Sequence, residues 1–158
     1  MGNLKPLNAK ELKHFRELLA EQYGYNETFS YVVFVSAEHK YYISTRDVET
    51  VLPIRMRIER VGIYFGQVAH GELRLSIEGS QIIGPHATTH VIELNAEQRD
   101  EWMLGKDIIY PGEFAQAFYI ARYKKDFMAC GKLKNGVLQN YVPKERYVGA
   151  TFPDESKE

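Results

Sequence analysis

Cysteine is nearly absent: Cys130 is the only one in 158 residues. That excludes an internal disulfide framework and fits a reducing compartment, so a cytoplasmic location is expected. No run of the roughly 20 apolar residues needed to span a membrane occurs, and no membrane partner is expected. The opening Met-Gly-Asn-Leu-Lys-Pro carries no apolar stretch of the kind a secretory leader has. Excess charge of one sign is missing too, since the formal net charge is −1. A near-neutral chain does not coat a polyanion indiscriminately, so any such binding must use a local patch. No glycine-rich loop follows a strand, so no nucleotide-type cofactor is expected. Internal repeats, low-complexity runs and Ser/Gly linkers are also lacking.

What is present is ordinary for a globular fold, with 44% hydrophobic and 26% charged residues. The length allows one domain or two small ones with a real core. Asn8 with Glu11 makes a capping box for a helix carrying Leu12, Phe15, Leu18 and Leu19, which Gly24 stops. Thr28 to Val35 is rich in aromatic and β-branched residues and reads as a strand. Ser36 to His39 reads as a hairpin turn and Lys40 to Ile43 as its return. Ser44 or Thr45 can cap a short helix through Val51, ended by Pro53. Ile54 to Glu59 alternates strictly, with Arg55, Arg57 and Glu59 on one face. Strands follow at Val61–Val68 and Glu72–Leu75, joined at His70-Gly71. A short apolar segment runs from Ser76 to Ile83, ended by Gly84-Pro85. Val91–Leu94 is a strand, and Asn95 with Gln98 makes a second capping box, opening a helix that Gly105 terminates. Any domain boundary lies near Gly66 to Ser76.

Basic residues concentrate near the C-terminus. Between residues 118 and 148 seven Lys/Arg face two acids, about +5, so the rest of the chain carries about −6. Phe118 to Tyr123 alternates like a half-buried strand, and Lys124-Lys125-Asp126 forms a polar turn before a second apolar run, Phe127 to Gly131. Asn135-Gly136 is a strong hairpin signal, because both residues tolerate positive φ. Val137 to Val142 returns until Pro143, and the whole reads as an antiparallel meander. A basic sheet face suits a polyanion. The candidate contacts are Arg122, Lys124, Lys125, Lys132, Lys134, Lys144 and Arg146, with Asn140 and Tyr141 placed to read or stack on exposed bases. Against this stands the usual reading of surface lysines as a solvated face. Arg55, Arg57, Arg60 and Arg74 read mainly as a solvated face with cross-strand ion pairs.

Two constellations are set aside. His86 and His90 have the i, i+4 spacing of a zinc pair, but Ala87 stands where a metalloprotease needs Glu, so no metal site is expected. Cys130, between Ala129 and Gly131, reads as a small buried residue rather than a nucleophile. No catalytic residue is assigned.

The segment from Cys130 to Arg146, with Gly131-Lys132, Gly136-Val-Leu-Gln-Asn140 and Pro143-Lys144, resembles the closing motif of PUA-like domains appended to RNA cytosine-5 methyltransferases. The PUA domain is an RNA-binding module named for pseudouridine synthases and archaeosine transglycosylases. Ala129 replaces a glycine of that motif and Gln139 replaces its lysine. The order of the Asn8 helix, Lys40-Tyr-Tyr-Ile-Ser44, Gly62-Ile-Tyr-Phe-Gly66 and Leu73-Arg-Leu75 is similar to ribosome-biogenesis factors of the nuclear-import-seven type. These resemblances imply an α+β fold, a small N-terminal α/β domain (1–72) packed on a C-terminal PUA-like β-barrel (73–150), with a disordered acidic tail (151–158). They imply a non-catalytic RNA-binding accessory factor in ribosome biogenesis, rRNA processing or RNA modification, with rRNA or tRNA as partner and a protein partner besides. The alternatives are a recognition subunit or detached domain of an RNA cytosine-5 methyltransferase, and a protein-interaction module.

Overall fold

A computed structural model describes residues 4–44 and 62–147. The expected short helix through Val51, the Ile54–Glu59 strand with Arg55 and Arg57, and the acidic tail lie outside those residues. The first helix, α1 (Ala9–Tyr23), begins as its caps dictate. The Asn8 side chain accepts from the Glu11 N–H at 2.8 Å, and the Glu11 carboxylate accepts from the Asn8 N–H at 3.0 Å. Gly24 closes it in the left-handed region, φ 63°, where a side chain would be strained.

The first sheet is antiparallel throughout, in the order β1 (Lys5–Pro6), β2 (Val32–Val35), β3 (Lys40–Ser44), β4 (Ile63–Ala69) and β5 (Glu72–Leu75). It therefore contains no parallel βαβ unit, and the N-terminal half is better described as α+β than α/β. β5 holds both Glu72 and Leu73, so this strand stays whole with the first sheet. β2 is shorter than the aromatic run suggested. Phe29 turns into the core, and its carbonyl accepts from Arg16 Nη2 at 3.3 Å instead of from a strand. Phe15 of α1 packs on that sheet, its ring 4.9 Å from Tyr41 and 5.6 Å from Phe65.

After β5, Ser76 caps α2 (Ile77–Ile83) by accepting from the Gly79 N–H. Gly79 is needed there, because a Cβ would stand 2.2 Å from the Phe65 carbonyl oxygen. A 3₁₀ turn at Gly84–His86 leads to β6 (Val91–Glu93), and the second capping box opens α3 (Ala96–Met103). Then come β7 (Ile108–Ile109), β8 (Ala117–Tyr123), β9 (Asp126–Lys134), β10 (Val137–Asn140) and a 3₁₀ turn at Lys144–Arg146. The second sheet has the order β6-β8-β9-β10-β7, with β6 parallel to β8 and the rest antiparallel. It forms a curled half-barrel whose edge strands, β6 and β7, do not pair with each other.

β8 is not half-buried as its pattern suggested. Phe118 to Ala121 are all buried, because the strand has a core on each side. Phe118 and Ile120 join a cluster with Phe15, Tyr23, Phe65 and Leu75, while Tyr119 and Ala121 join Trp102, Ile108 and Leu138. The first cluster is therefore built from both halves of the chain. Polar contacts reinforce it: the buried Tyr23 hydroxyl donates to the Leu73 carbonyl, and Gln22 accepts from the Leu73 N–H at 2.8 Å. No described helix is long and apolar enough to cross a membrane.

Candidate nucleic-acid interface

The basic residues of the last third do not share one surface. β9 separates them, running from Asp126 at one end to Lys134 at the other, some 25–30 Å for nine residues. Lys124 and Lys125 form the β8–β9 turn at one end. Chain reversal through β10 brings Lys144 and Arg146 back towards that end, while Lys134 stands at the β9–β10 turn.

At the first end α2, α3 and the start of β9 enclose a cleft of about 610 Å³. Its apolar wall is Ile77, Met103, Phe127 and Met128 with the buried Trp102 behind them, and its charged lining is Arg99, Lys125 and Arg146 with one acid, Asp126. The Trp102 ring is held from behind, its indole N–H donating to the Met128 carbonyl at 2.7 Å. Gly131 lies under that ring, and a Cβ there would sit 2.7 Å from it. Phe127 lies across Gly84, where a Cβ would meet the ring at 2.2 Å. Both aromatic walls thus depend on glycine backbone.

Arg99 was not among the expected contacts. Its signal is the spacing Arg99, Trp102, Met103, which places the three on one helical face. Its guanidinium lies over the Tyr123 ring at 4.3 Å, and the Lys124 ammonium lies 5.3 Å from the same ring. Arg99 Nε also donates to Asp100 at 2.6 Å. Arg146 pairs with Glu78 of α2 at 3.0 Å, and Arg122 pairs with Glu93 at 2.7 Å. The Arg122 hydrogen bond holds the Glu93 carboxyl below its usual range, helped by the Lys124 N–H at 3.0 Å. Lys124, Lys125, Lys134 and Lys144 have no ion pair among the described residues.

Asn140 is placed otherwise than expected of a base reader. Its amide nitrogen donates to the carbonyls of Trp102 and Lys106, at 2.9 and 3.0 Å, and its amide oxygen accepts from the Val142 N–H at 2.8 Å. It fastens the end of α3 to the end of β10. Tyr141 is 42% exposed and lies away from the cleft, against Phe118. Lys132 is largely covered and pairs with Glu72 of β5.

The two set-aside constellations have structural jobs. His86 ends a 3₁₀ turn and pairs with Glu27 at 3.2 Å, while His90 stacks on Tyr119 at 4.8 Å. Burial pushes the His90 pKa down. Among the described residues no cluster of metal-ligating side chains occurs. Cys130 is buried, its thiol 3.4 Å from the Tyr23 hydroxyl, and burial pushes its pKa up. A thiol kept protonated and out of reach is a poor nucleophile.

Residues 89–147 match the family described as the methyltransferase RsmF PUA domain. Over this segment the chain is similar to the PUA domain of an RNA methyltransferase. The chain is 27% identical over 90 residues to ribosomal RNA small subunit methyltransferase F of Vibrio cholerae, 57% of this chain and 19% of that protein. It is 29% identical over 91 residues to the protein of that name from Aeromonas salmonicida, 58% of this chain and 19% of the relative. The matched part thus spans about a fifth of the relatives' length, and the PUA-like domain holds α3, the turn with Lys124 and Lys125, and Arg146.

Proposed function

We propose that this protein binds RNA without catalysing a reaction on it, as an accessory factor in RNA modification or ribosome assembly. The observation that carries the reading is the convergence of Arg99, Lys125 and Arg146, all within the matched residues 89–147, on one apolar cleft between that segment and α2. Lys124 lies beside it, at the same Tyr123 ring that Arg99 covers, so a phosphate backbone entering the cleft meets a further cation there. Arginine forks match phosphate oxygens, and the apolar wall suits an unstacked base. Structured rRNA or tRNA is the proposed ligand. A thiol-nucleophile mechanism is disfavoured by the burial of Cys130. A second reading, a recognition subunit working beside a separate methyltransferase, is favoured by the names of the relatives and by the fifth of their length matched here.

Fluorescence anisotropy with a structured RNA tests the main reading. Affinity should fall steeply between about 50 and 200 mM salt, with a log–log slope near −0.7 to −0.9 per phosphate contacted. The triple variant Arg99→Ala, Lys125→Ala, Arg146→Ala should weaken binding for all sequences and shallow the slope by about 2–3. Salt-insensitive binding, or a triple variant that binds as well as the unaltered protein, would refute it.

A further inference from the structure

The face of the second sheet that packs on the first half of the chain at β8 runs on past that core towards β10 and β7, where it carries a row of side chains that the cleft does not use. Register sets the row. Phe118, Lys132 and Gln139 stand opposite one another across β8, β9 and β10. Lys134, Val137 and Ile109 do the same across β9, β10 and β7. Paired residues share a face, and positions two apart along a strand share it as well. Tyr141 lies at the head of the row, meeting the Phe118 ring edge-on at 5.6 Å. Above Tyr141 lies the Arg74 guanidinium, 4.8 Å from the ring centre.

Arg74 comes from β5 of the first sheet, outside residues 89–147. It is held in place, donating to Gln67 at 3.1 Å. Its neighbour Glu72 pairs with Lys132, whose ammonium sits 4.8 Å over the Phe118 ring. The row therefore has three cations, Arg74, Lys132 and Lys134, against one acid. Its exposed apolar members are Tyr141 and Ile109, the latter 77% exposed.

We propose that this row is a track for a few unpaired nucleotides of the bound RNA, entered at Tyr141 and completed by Arg74. The inference rests on the RNA reading above and names the part of the ligand that this second surface takes. An exposed tyrosine ring offers a stacking platform that every base can use on the face Arg74 leaves open, and the planar guanidinium over the other face holds that platform in place. From Tyr141 to Val137 the chain covers about 13 Å. Gln139 lies between them with an amide for base edges, and Lys134 closes the track with a charge for phosphate. A polyanion matches the surplus of positive charge better than an apolar partner does. The two halves of the chain form one binding unit, because the PUA-like segment alone lacks Arg74.

The test uses the full chain and two probes, a short single-stranded RNA carrying 2-aminopurine and a duplex of the same length. Tyr141→Ala should weaken single-strand binding about tenfold and abolish quenching of the 2-aminopurine, leaving duplex affinity unchanged. Tyr141→Phe should retain both properties, which also shows that the fold survives. Arg74→Lys should give an intermediate loss, keeping charge without the planar surface. An unaffected Tyr141→Ala variant overturns the inference, as does a Tyr141→Phe variant as weak as Tyr141→Ala. Polyglutamate competing as well as RNA overturns it in favour of an acidic protein partner. If the cleft variant loses all RNA binding while Tyr141→Ala loses none, only the track falls. If the unaltered protein binds no RNA at low salt, both readings fall.

Discussion

At the scale of single residues, hydrogen-bond capacity separates a contact from a support. Asn140 sits in the most basic stretch of the chain, yet its amide is spent on Trp102, Lys106 and Val142. Removing it strands backbone groups at the junction of α3 and β10. Asn140→Ala should therefore destabilise the fold by about 1–3 kcal/mol, read from chemical denaturation. RNA affinity of the folded fraction should stay within about twofold if the side chain only supports the site. A much larger loss of affinity at unchanged stability would return Asn140 to the ligand contacts.

At the scale of elements, the β8–β9 pair is irregular where it turns past both cores. Its register shifts between Ile120 and Arg122, and Ala129 opposite adopts φ 78°, the left-handed region that disfavours a side chain. Ala129 is also where the resembled motif has glycine. Its methyl is nevertheless buried in the Trp102 cluster. Ala129→Gly gives up that burial and adds to the chain entropy lost on folding, but it relieves strain of about 1–2 kcal/mol. It should change stability by less than about 0.5 kcal/mol. Ala121→Gly, in the same cluster without positive φ, should cost about 1.5 kcal/mol. Equal costs, measured by urea titration, would show that the backbone at Ala129 carries no strain.

At the scale of the whole molecule, charge segregation along the chain is partly undone by folding. Three of the seven basic residues between 118 and 148 meet acids brought back from earlier positions, Glu72 to Lys132, Glu78 to Arg146 and Glu93 to Arg122. Such half-exposed pairs contribute little stability, about 0–1 kcal/mol, but they occupy cations that phosphate must reclaim. Glu78→Gln should therefore raise RNA affinity about two- to fivefold at low salt, with little change in melting temperature. Unchanged affinity would mean that Arg146 does not meet the phosphates.

Much of this architecture is legible in the sequence, and the legible part is local. Asn8 with Glu11, Asn95 with Gln98, Gly24 and Asn135-Gly136 place helix ends and a hairpin, because each needs only neighbours within about four residues. The surplus of Lys and Arg after residue 118 is legible in the same way. Several things depended on contacts between distant segments. β7, two residues long, exists because β10 passes beside it. The burial of both faces of β8 depends on α1 and α3 arriving from opposite sides. The division of the basic set between a cleft and the far part of a sheet face follows from the length of β9 and the reversal of β10. Local propensity and composition by themselves determined the elements and the overall charge. Only the tertiary structure decided which cations face solvent beside an aromatic surface and which are paired, because that depends on carboxylates some 60 residues away in sequence, as with Glu72 and Lys132.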